Sequence, residues 1–106
     1  MSGVGSIFKQ PFENLDYNLD FVERLEEAET ISLTGGGVTS INVLTGEDST
    51  DAIIGADAQA PAISGSKVIF WVKAGANDEQ HKITVRITTS GARKLEEDLD
   101  LVVVER

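Results

Sequence analysis

The sequence predicts an all-β protein: an immunoglobulin-like antiparallel β-sandwich of about seven strands, with one short helical turn near residues 22–28. Three observations predict this fold. Apolar residues alternate with polar ones over several short segments, as they do in half-buried strands. Turn-forming residues separate these segments at regular intervals. The length of 106 residues suits one domain, and an apolar fraction of 41% is typical of a folded chain.

The first strand is predicted from Asn14 to Phe21. Its odd-numbered residues are all apolar and its even-numbered residues are all Asn or Asp, so one face is buried and the other is solvated. The preceding residues 1–13 contain several glycines and serines together with Pro11, which favours an N-terminal arm. Residues 14–106 then form the sandwich domain.

The middle of the chain predicts shorter and less regular elements. Good helix formers over 22–29 indicate one or two helical turns. Alternation predicts strands at 30–34 and 38–44, with the triple glycine between them ending the first of the two. A short fourth strand is predicted at 51–55, and the alanine-rich segment 56–65 is predicted to be a loop.

The C-terminal part predicts three strands, at 67–73, 81–88 and 97–104, separated by turns. The first of them is the most apolar run of the chain. We therefore expect Trp71 in the centre of the core, where antibody domains carry a disulfide. The predicted core consists of the inward-facing strand residues Leu15, Tyr17, Leu19, Phe21, Trp71, Ile83, Val85, Ile87, Leu99 and Leu101.

Charge and composition exclude several classes of function. The net charge is −9, and residues 1–53 contain ten acidic and only two basic side chains. A negative surface repels phosphate groups, so we expect no direct nucleic-acid binding and no binding to anionic membranes. The absence of cysteine excludes disulfides, thiolate zinc sites and cysteine nucleophiles. No apolar run has the length of a membrane span, and we expect no signal peptide.

One group of acidic residues has the spacing of a known metal-binding loop. Asp16, Asn18 and Asp20, with Glu27 at position 12, have the spacing of an EF-hand calcium loop. That loop needs glycine at position 6, where this chain has Phe21, and its intervening residues form an apolar strand face. The triple glycine is not followed by the Gly-Lys-Ser/Thr of a phosphate loop. We therefore predict no metal site and no cofactor.

The residues that could act in catalysis are few. His81 is the only histidine, and it is expected at the surface or at a sheet edge. Residue counts leave a Ser–His–Asp triad open, but the Gly-x-Ser-x-Gly motif of many serine hydrolases is absent. Adjacent carboxylates lie in predicted turns, where they are normally solvated. The sequence thus predicts no catalytic residues and no enzyme.

Three blocks of residues, in this order and spacing, resemble a known family. They are Lys9, Pro11, Leu15, Asp16, Tyr17, Leu19, Asp20 and Phe21; then Glu29, Thr30 and Ile31; then Trp71, Gly75, Arg86 to Thr89, Gly91, Arg93 and Leu99 to Val103. The pattern resembles small tailed-phage proteins called fibre–tail adaptors, whose relatives are described as head–tail (neck) or minor virion proteins. The sequence differs from the family pattern over residues 35–65, and it has Ala28-Glu29 where the family usually has Asp-Gly.

This resemblance implies a non-enzymatic virion structural protein, made in the host cytoplasm. It would form part of the neck or tail and bridge the tail to the fibre or to adjacent ring proteins. Its partners would be other phage virion proteins of the tail, neck, fibre or capsid, in a symmetric ring or another multi-copy assembly. One alternative is a capsid decoration protein. A weaker alternative is a carbohydrate- or calcium-binding β-sandwich module.

The expected interface combines three features. Apolar residues of the arm are expected to dock on a neighbour, the acidic half to select a basic partner surface, and the terminal strand to lie at a sheet edge open to strand addition. The interface residues predicted on this basis are Ile7, Phe8, Pro11, Phe12, Asp16, Asp20, Val102 and Val104.

Overall fold

Seven strands form two sheets in the computed structural model, which describes residues 5–105. The strands are β1 (Ser6–Lys9), β2 (Leu15–Asp20), β3 (Ile31–Asn42), β4 (Ala62–Ser64), β5 (Lys67–Val72), β6 (Gln80–Thr89) and β7 (Lys94–Val103). One helical turn, α1 (Thr50–Ile53), and two 3₁₀ turns, Val22–Arg24 and Asp57–Gln59, complete the described elements. The first 3₁₀ turn lies where the sequence predicted helical turns.

The strand order is that of an immunoglobulin-like sandwich. Sheet A has the order β1-β7-β6-β3, and sheet B has the order β2-β5-β4. Every pairing is antiparallel except the parallel pairing of β1 with β7. Strands β2, β5 and β4 correspond to strands B, E and D of an immunoglobulin domain. Strands β3, β6 and β7 correspond to strands C, F and G of its other sheet. The prediction of a seven-stranded β-sandwich is therefore confirmed.

Alternate residues of each strand fill the space between the sheets. In β6, Ile83, Val85 and Ile87 are almost completely buried, and Leu99 and Leu101 of β7 face the same layer. Phe21 and Phe70 are the largest fully buried side chains. Leu15, Tyr17 and Leu19 of β2 are only partly buried, but they pack against this core.

Trp71 is not in the core, and the prediction that placed it there was wrong. Its neighbours in β5, Phe70 and Val72, are 0% exposed, so the alternation of the strand puts Trp71 on the outer face of sheet B. The segment that follows α1 runs close to it: the Gly55 N–H donates a hydrogen bond to the Trp71 carbonyl, over 2.8 Å. Trp71 is therefore half-buried against this segment, and Phe70 occupies the centre.

The triple glycine does not end a strand, as the sequence suggested. Strand β3 continues through it, and the pairing with β6 shifts register between Ser32 and Gly37, which is a bulge. A Cβ atom on Gly36 would lie 2.3 Å from the carbonyl oxygen of Arg86, closer than any side chain allows. Glycine at this position permits the bulged strand to approach β6, so one bent strand replaces the two that were predicted.

Two further predictions in the middle of the chain were wrong. The expected strand at 51–55 is mainly the helical turn α1, and only Ile54 makes an isolated bridge to β5. Consecutive residues Ile53 and Ile54 are both buried, which an alternating strand does not allow. The expected loop at 56–65 contains β4, a strand of three residues that pairs with β5.

The terminal strand is not a sheet edge, contrary to expectation. Strand β7 lies between β6 and β1, so that β1 and β3 are the edges of sheet A. Within β1, Ile7 is 9% exposed and Lys9 is 2% exposed. The Lys9 ammonium donates a hydrogen bond to the Gln10 carbonyl over 2.7 Å, and burial lowers the pKa of this amine. Residues 6–9 of the arm therefore dock on their own domain.

Candidate protein-binding surface

The outer face of sheet A carries a row of side chains at one end that are apolar except for Gln80. Phe8 of β1 is opposite Val102 of β7, and Val102 is opposite Gln80 of β6. Beyond the end of β3, the Val43 N–H donates to the Gln80 carbonyl over 2.9 Å, which continues the row. Side chains opposite each other in a sheet lie on the same face. Residues 94 positions apart in the sequence, Phe8 and Val102, therefore become neighbours.

These residues belong to a larger group at the same end of the sandwich. Phe8, Ile41 and Val43 are 45–55% exposed, and Leu44 and Phe12, in the turns that follow β3 and β1, are 66% and 99% exposed. Five of the six most exposed large apolar residues of the described chain thus lie at one end; the sixth, Val22, lies at the opposite end. We define the apolar patch as Phe8, Phe12, Ile41, Val43, Leu44 and Val102.

An acidic cleft adjoins the apolar patch. The turn that carries Val43 and Leu44 also forms one wall of a shallow cleft of about 350 Å³. Glu47, Asp48 and Glu79 are among its lining residues, whereas none of the residues lining it is a lysine or an arginine. The patch and its surroundings therefore combine exposed apolar area with negative charge.

A row of hydrogen-bonded side chains forms the floor of this cleft. The Ser49 hydroxyl lies 2.8 Å from Nδ1 of His81, and Nε2 of His81 lies 3.0 Å from a carboxylate oxygen of Glu79. The Ser40 hydroxyl extends the row, 2.7 Å from that of Ser49. Because the Glu79 carboxylate accepts hydrogen bonds, Nε2 carries the proton and Nδ1 accepts from Ser49. The Ala76 N–H and His81 lower the pKa of Glu79.

The sequence predicted His81 at the surface or at a sheet edge, but this residue is only 2% exposed. It faces inwards because it has the same parity in β6 as the buried residues Ile83, Val85 and Ile87, and Ser49 and Glu79 satisfy both ring nitrogens.

A serine, a histidine and a carboxylate in a row are also the parts of a hydrolase triad, which needs backbone N–H donors for the oxyanion. Here the Ser49 N–H is bonded to the Ser40 carbonyl and the Thr50 N–H to Asp48, each over 2.8 Å. The row therefore fastens the turn after β3 onto the sheet.

The acidic residues of β2 cannot surround a calcium ion. Asp16, Asn18 and Asp20 lie along one face of an extended strand, where successive side chains are about 6.5–7 Å apart. Asp20 is also occupied locally, since it accepts hydrogen bonds from the Val22 N–H over 2.9 Å and from the Ser66 hydroxyl over 2.6 Å. These two contacts, the Ser66 hydroxyl first, lower its pKa. Across residues 5–105, no three His, Asp or Glu side chains are grouped to hold a metal ion.

The structure distributes the predicted interface residues over several places. Phe8 and Val102 meet in the apolar patch, and Phe12 lies in the adjoining turn. Ile7 instead faces the core of its own domain. The remaining four are Pro11, half-buried in the turn after β1, Val104, whose N–H is bonded to Lys9, and Asp16 and Asp20, on the exposed face of sheet B.

Sequence reasoning missed Ile41, Val43 and Leu44 as surface residues. It assigned them to a third strand and placed none of them at the interface. The available signal was the pair Val43-Leu44 directly before a Thr-Gly turn, because adjacent apolar residues at a strand end cannot both face the core.

Residues that carried the family resemblance meet at the opposite end of the sandwich. Nε of Arg93 donates to the Glu29 carboxylate over 3.1 Å, and a second Arg93 nitrogen bonds the Arg24 carbonyl over 2.7 Å. Hydrogen bonding from Arg93 lowers the pKa of Glu29 to about 2. A Cβ atom on Gly91 would lie 2.7 Å from this carboxylate, so glycine leaves the space for it. This part of the motif ties the turn after β6 to the segment after β2.

A comparison with known protein families gives one match. Residues 9–102 match a family model described as "Podophage GP4 fiber-tail adaptor protein gp77". The matched range begins at the last residue of β1 and ends near the end of β7, so it includes both sheets. No curated protein matches the sequence. Within residues 5–105, no helix has the length and apolar character needed to cross a membrane.

Proposed function

The chain belongs to the podophage GP4 fiber-tail adaptor family, and on this premise we propose that it bridges the phage tail to its fibre without catalysing a reaction. Membership of the family makes it a structural component of the phage tail. The bridging contacts, the number of copies and the absence of catalysis are the parts that we propose.

The observation that carries this proposal is the apolar patch. Exposed apolar residues scattered singly need no explanation, but a cluster on a small domain marks a contact with another macromolecule. Here two phenylalanines and three aliphatic residues, among the most exposed of the described chain, lie at one end of the sandwich. Aromatic residues are enriched at protein interfaces, which favours a protein partner.

The arm and the domain have separate parts in this proposal. Residues 1–13 act as an arm, whose strand β1 is seated on β7 and whose following turn presents Phe12. Residues 14–106 form the sandwich that supports it. Several copies around the tail axis would make individually modest contacts additive through their effective concentration. The net charge of −9 favours protein partners over nucleic acid.

The cleft is consistent with a non-catalytic protein. The backbone N–H groups beside Ser49 are bonded within the chain, and its hydroxyl is shared between His81 and Ser40. The side chains of this row therefore satisfy one another's hydrogen-bonding groups, as polar groups inside a folded domain do.

Electron cryo-microscopy of virions made with and without this chain tests the proposal. We expect density of a two-sheet domain between tail and fibre in several copies, and tails without fibres when the chain is missing. Density on the capsid lattice would instead favour a decoration protein. Fibres that remain attached without the chain would contradict the bridging function.

A further inference from the structure

We propose that the apolar patch binds a segment of the tail or fibre protein whose apolar side chains are flanked by lysine and arginine. This inference rests on the proposed function and adds the location of one contact surface and the chemistry of its partner. Three observations support it: the extent of the patch, the charge around it, and its poor fit to a second copy of the same chain.

The patch has the extent of a segment-binding surface. The row from Phe8 through Val102 and Gln80 to Val43 crosses three gaps between neighbouring strands. At about 4.8 Å for each gap, the row is about 14 Å long. A helix of about ten residues, rising 1.5 Å for each residue, covers that distance. Ile41 adds apolar area on the same face, and Leu44 and Phe12 lie in the turns at this end.

Several carboxylates lie at the same end of the sandwich as this apolar area. Strands β1, β3, β5 and β7 all end here, and the turns and the short helix that follow them carry an acidic rim: Glu13, Glu47, Asp48, Asp51, Asp78, Glu79 and Glu105. Three lysines lie near these residues. Lys9 is 2% exposed and its ammonium is bonded to a carbonyl, Lys73 follows β5, and Lys82, opposite Ile41 on the outer face of sheet A, is paired with Asp98 over 3.4 Å. An interface with an apolar centre and a charged rim selects its partner through complementary charge.

The same charge argues against other occupants. A second copy of the chain would bring two acidic rims together around the same patch, and like charges across an interface cost free energy. An anionic membrane or a nucleic acid would meet the same repulsion. A basic and partly apolar protein segment is the occupant that satisfies both properties of the surface.

Binding measurements with the purified tail and fibre proteins of the same phage test the inference. Val43→Asp places a charge in the patch, and Val22→Asp is its matched control, because these two valines are 48% and 56% exposed but lie at opposite ends. We expect Val43→Asp to weaken binding to one of the two proteins by at least about tenfold, as for a central interface residue. Val22→Asp should change the affinity by less than about twofold.

A second pair of variants tests the charge. Glu47→Lys reverses a charge in the rim, and Glu23→Lys reverses one in the first 3₁₀ turn at the other end; both side chains are exposed. We expect only Glu47→Lys to weaken binding and to reduce its dependence on salt concentration. Circular dichroism of all four variants establishes that they are folded.

The outcomes separate this inference from the function on which it rests. If the unaltered chain binds neither the tail nor the fibre protein, the bridging function is wrong. If it binds but Val43→Asp and Val22→Asp have equal effects, the function stands and the patch is not the contact surface. If Glu47→Lys binds as tightly as Glu23→Lys, the partner is not basic and the proposed chemistry is wrong.

Discussion

The finding that Phe70, and not Trp71, occupies the centre of the core gives a quantitative prediction about stability. Phe70 is 0% exposed and packs between the sheets, with its ring 6.4 Å from that of Tyr17 on the paired strand. Truncation of a fully buried phenylalanine leaves a cavity, so Phe70→Ala should lower the free energy of unfolding by about 3–5 kcal/mol. Trp71 is half-buried on the outer face, and Trp71→Ala should cost about 1–2 kcal/mol, since fewer contacts are lost.

Urea denaturation followed by far-ultraviolet circular dichroism measures both variants, and it does not depend on the fluorescence of the single tryptophan. The slope of the free energy against urea concentration should be unchanged, so that the midpoints report stability alone. A cost for Trp71→Ala equal to or greater than that for Phe70→Ala would refute the assignment of these two side chains to opposite faces of β5.

Two further predictions concern the arm and the ion pair of the opposite end. Because Ile7 is 9% exposed against its own core, Ile7→Ala should lower stability by about 2 kcal/mol in thermal or urea unfolding; a change below about 0.5 kcal/mol would mean that β1 does not dock in solution. Hydrogen bonding from Arg93 lowers the pKa of Glu29 to about 2. The ionised carboxylate therefore stabilises the fold above pH 4.5, and this stabilisation is lost as the pH falls towards 2. Glu29→Gln should therefore be less stable than the unaltered chain at pH 7, with a difference that shrinks towards pH 2; a difference that is constant with pH would contradict this role.

Local alternation was sufficient for much of the fold. Strand β2 follows a period of two over its whole length, because one of its faces packs on the core and the other meets water. Strands β6 and β7 were predicted for the same reason, although β7 begins at Lys94, three residues earlier than expected. The family resemblance rested on residues such as Glu29 and Arg93, whose contact stabilises the domain.

Errors arose where the pattern was continuous or where a distant partner decided the structure. The run 67–73 is apolar at nearly every position, so its composition does not distinguish the inner residue Phe70 from the outer residue Trp71. The polar residue His81 has the inward parity of β6 and is tolerated there because Ser49 and Glu79 bond its ring. Glu79 is only two residues from His81, but Ser49 is 32 residues away and is not identifiable from the sequence around His81.

The sequence by itself determined the all-β class, the acidic character of the chain and its family. Each of these depends on composition, local period or a linear motif. Tertiary structure alone decided that β1 would pair with the edge of β7, and that Phe8, Val43 and Val102 would share one face. The physical reason is that strand order and register are set by hydrogen bonds between residues far apart in the chain, and these pairings leave no local periodic signal.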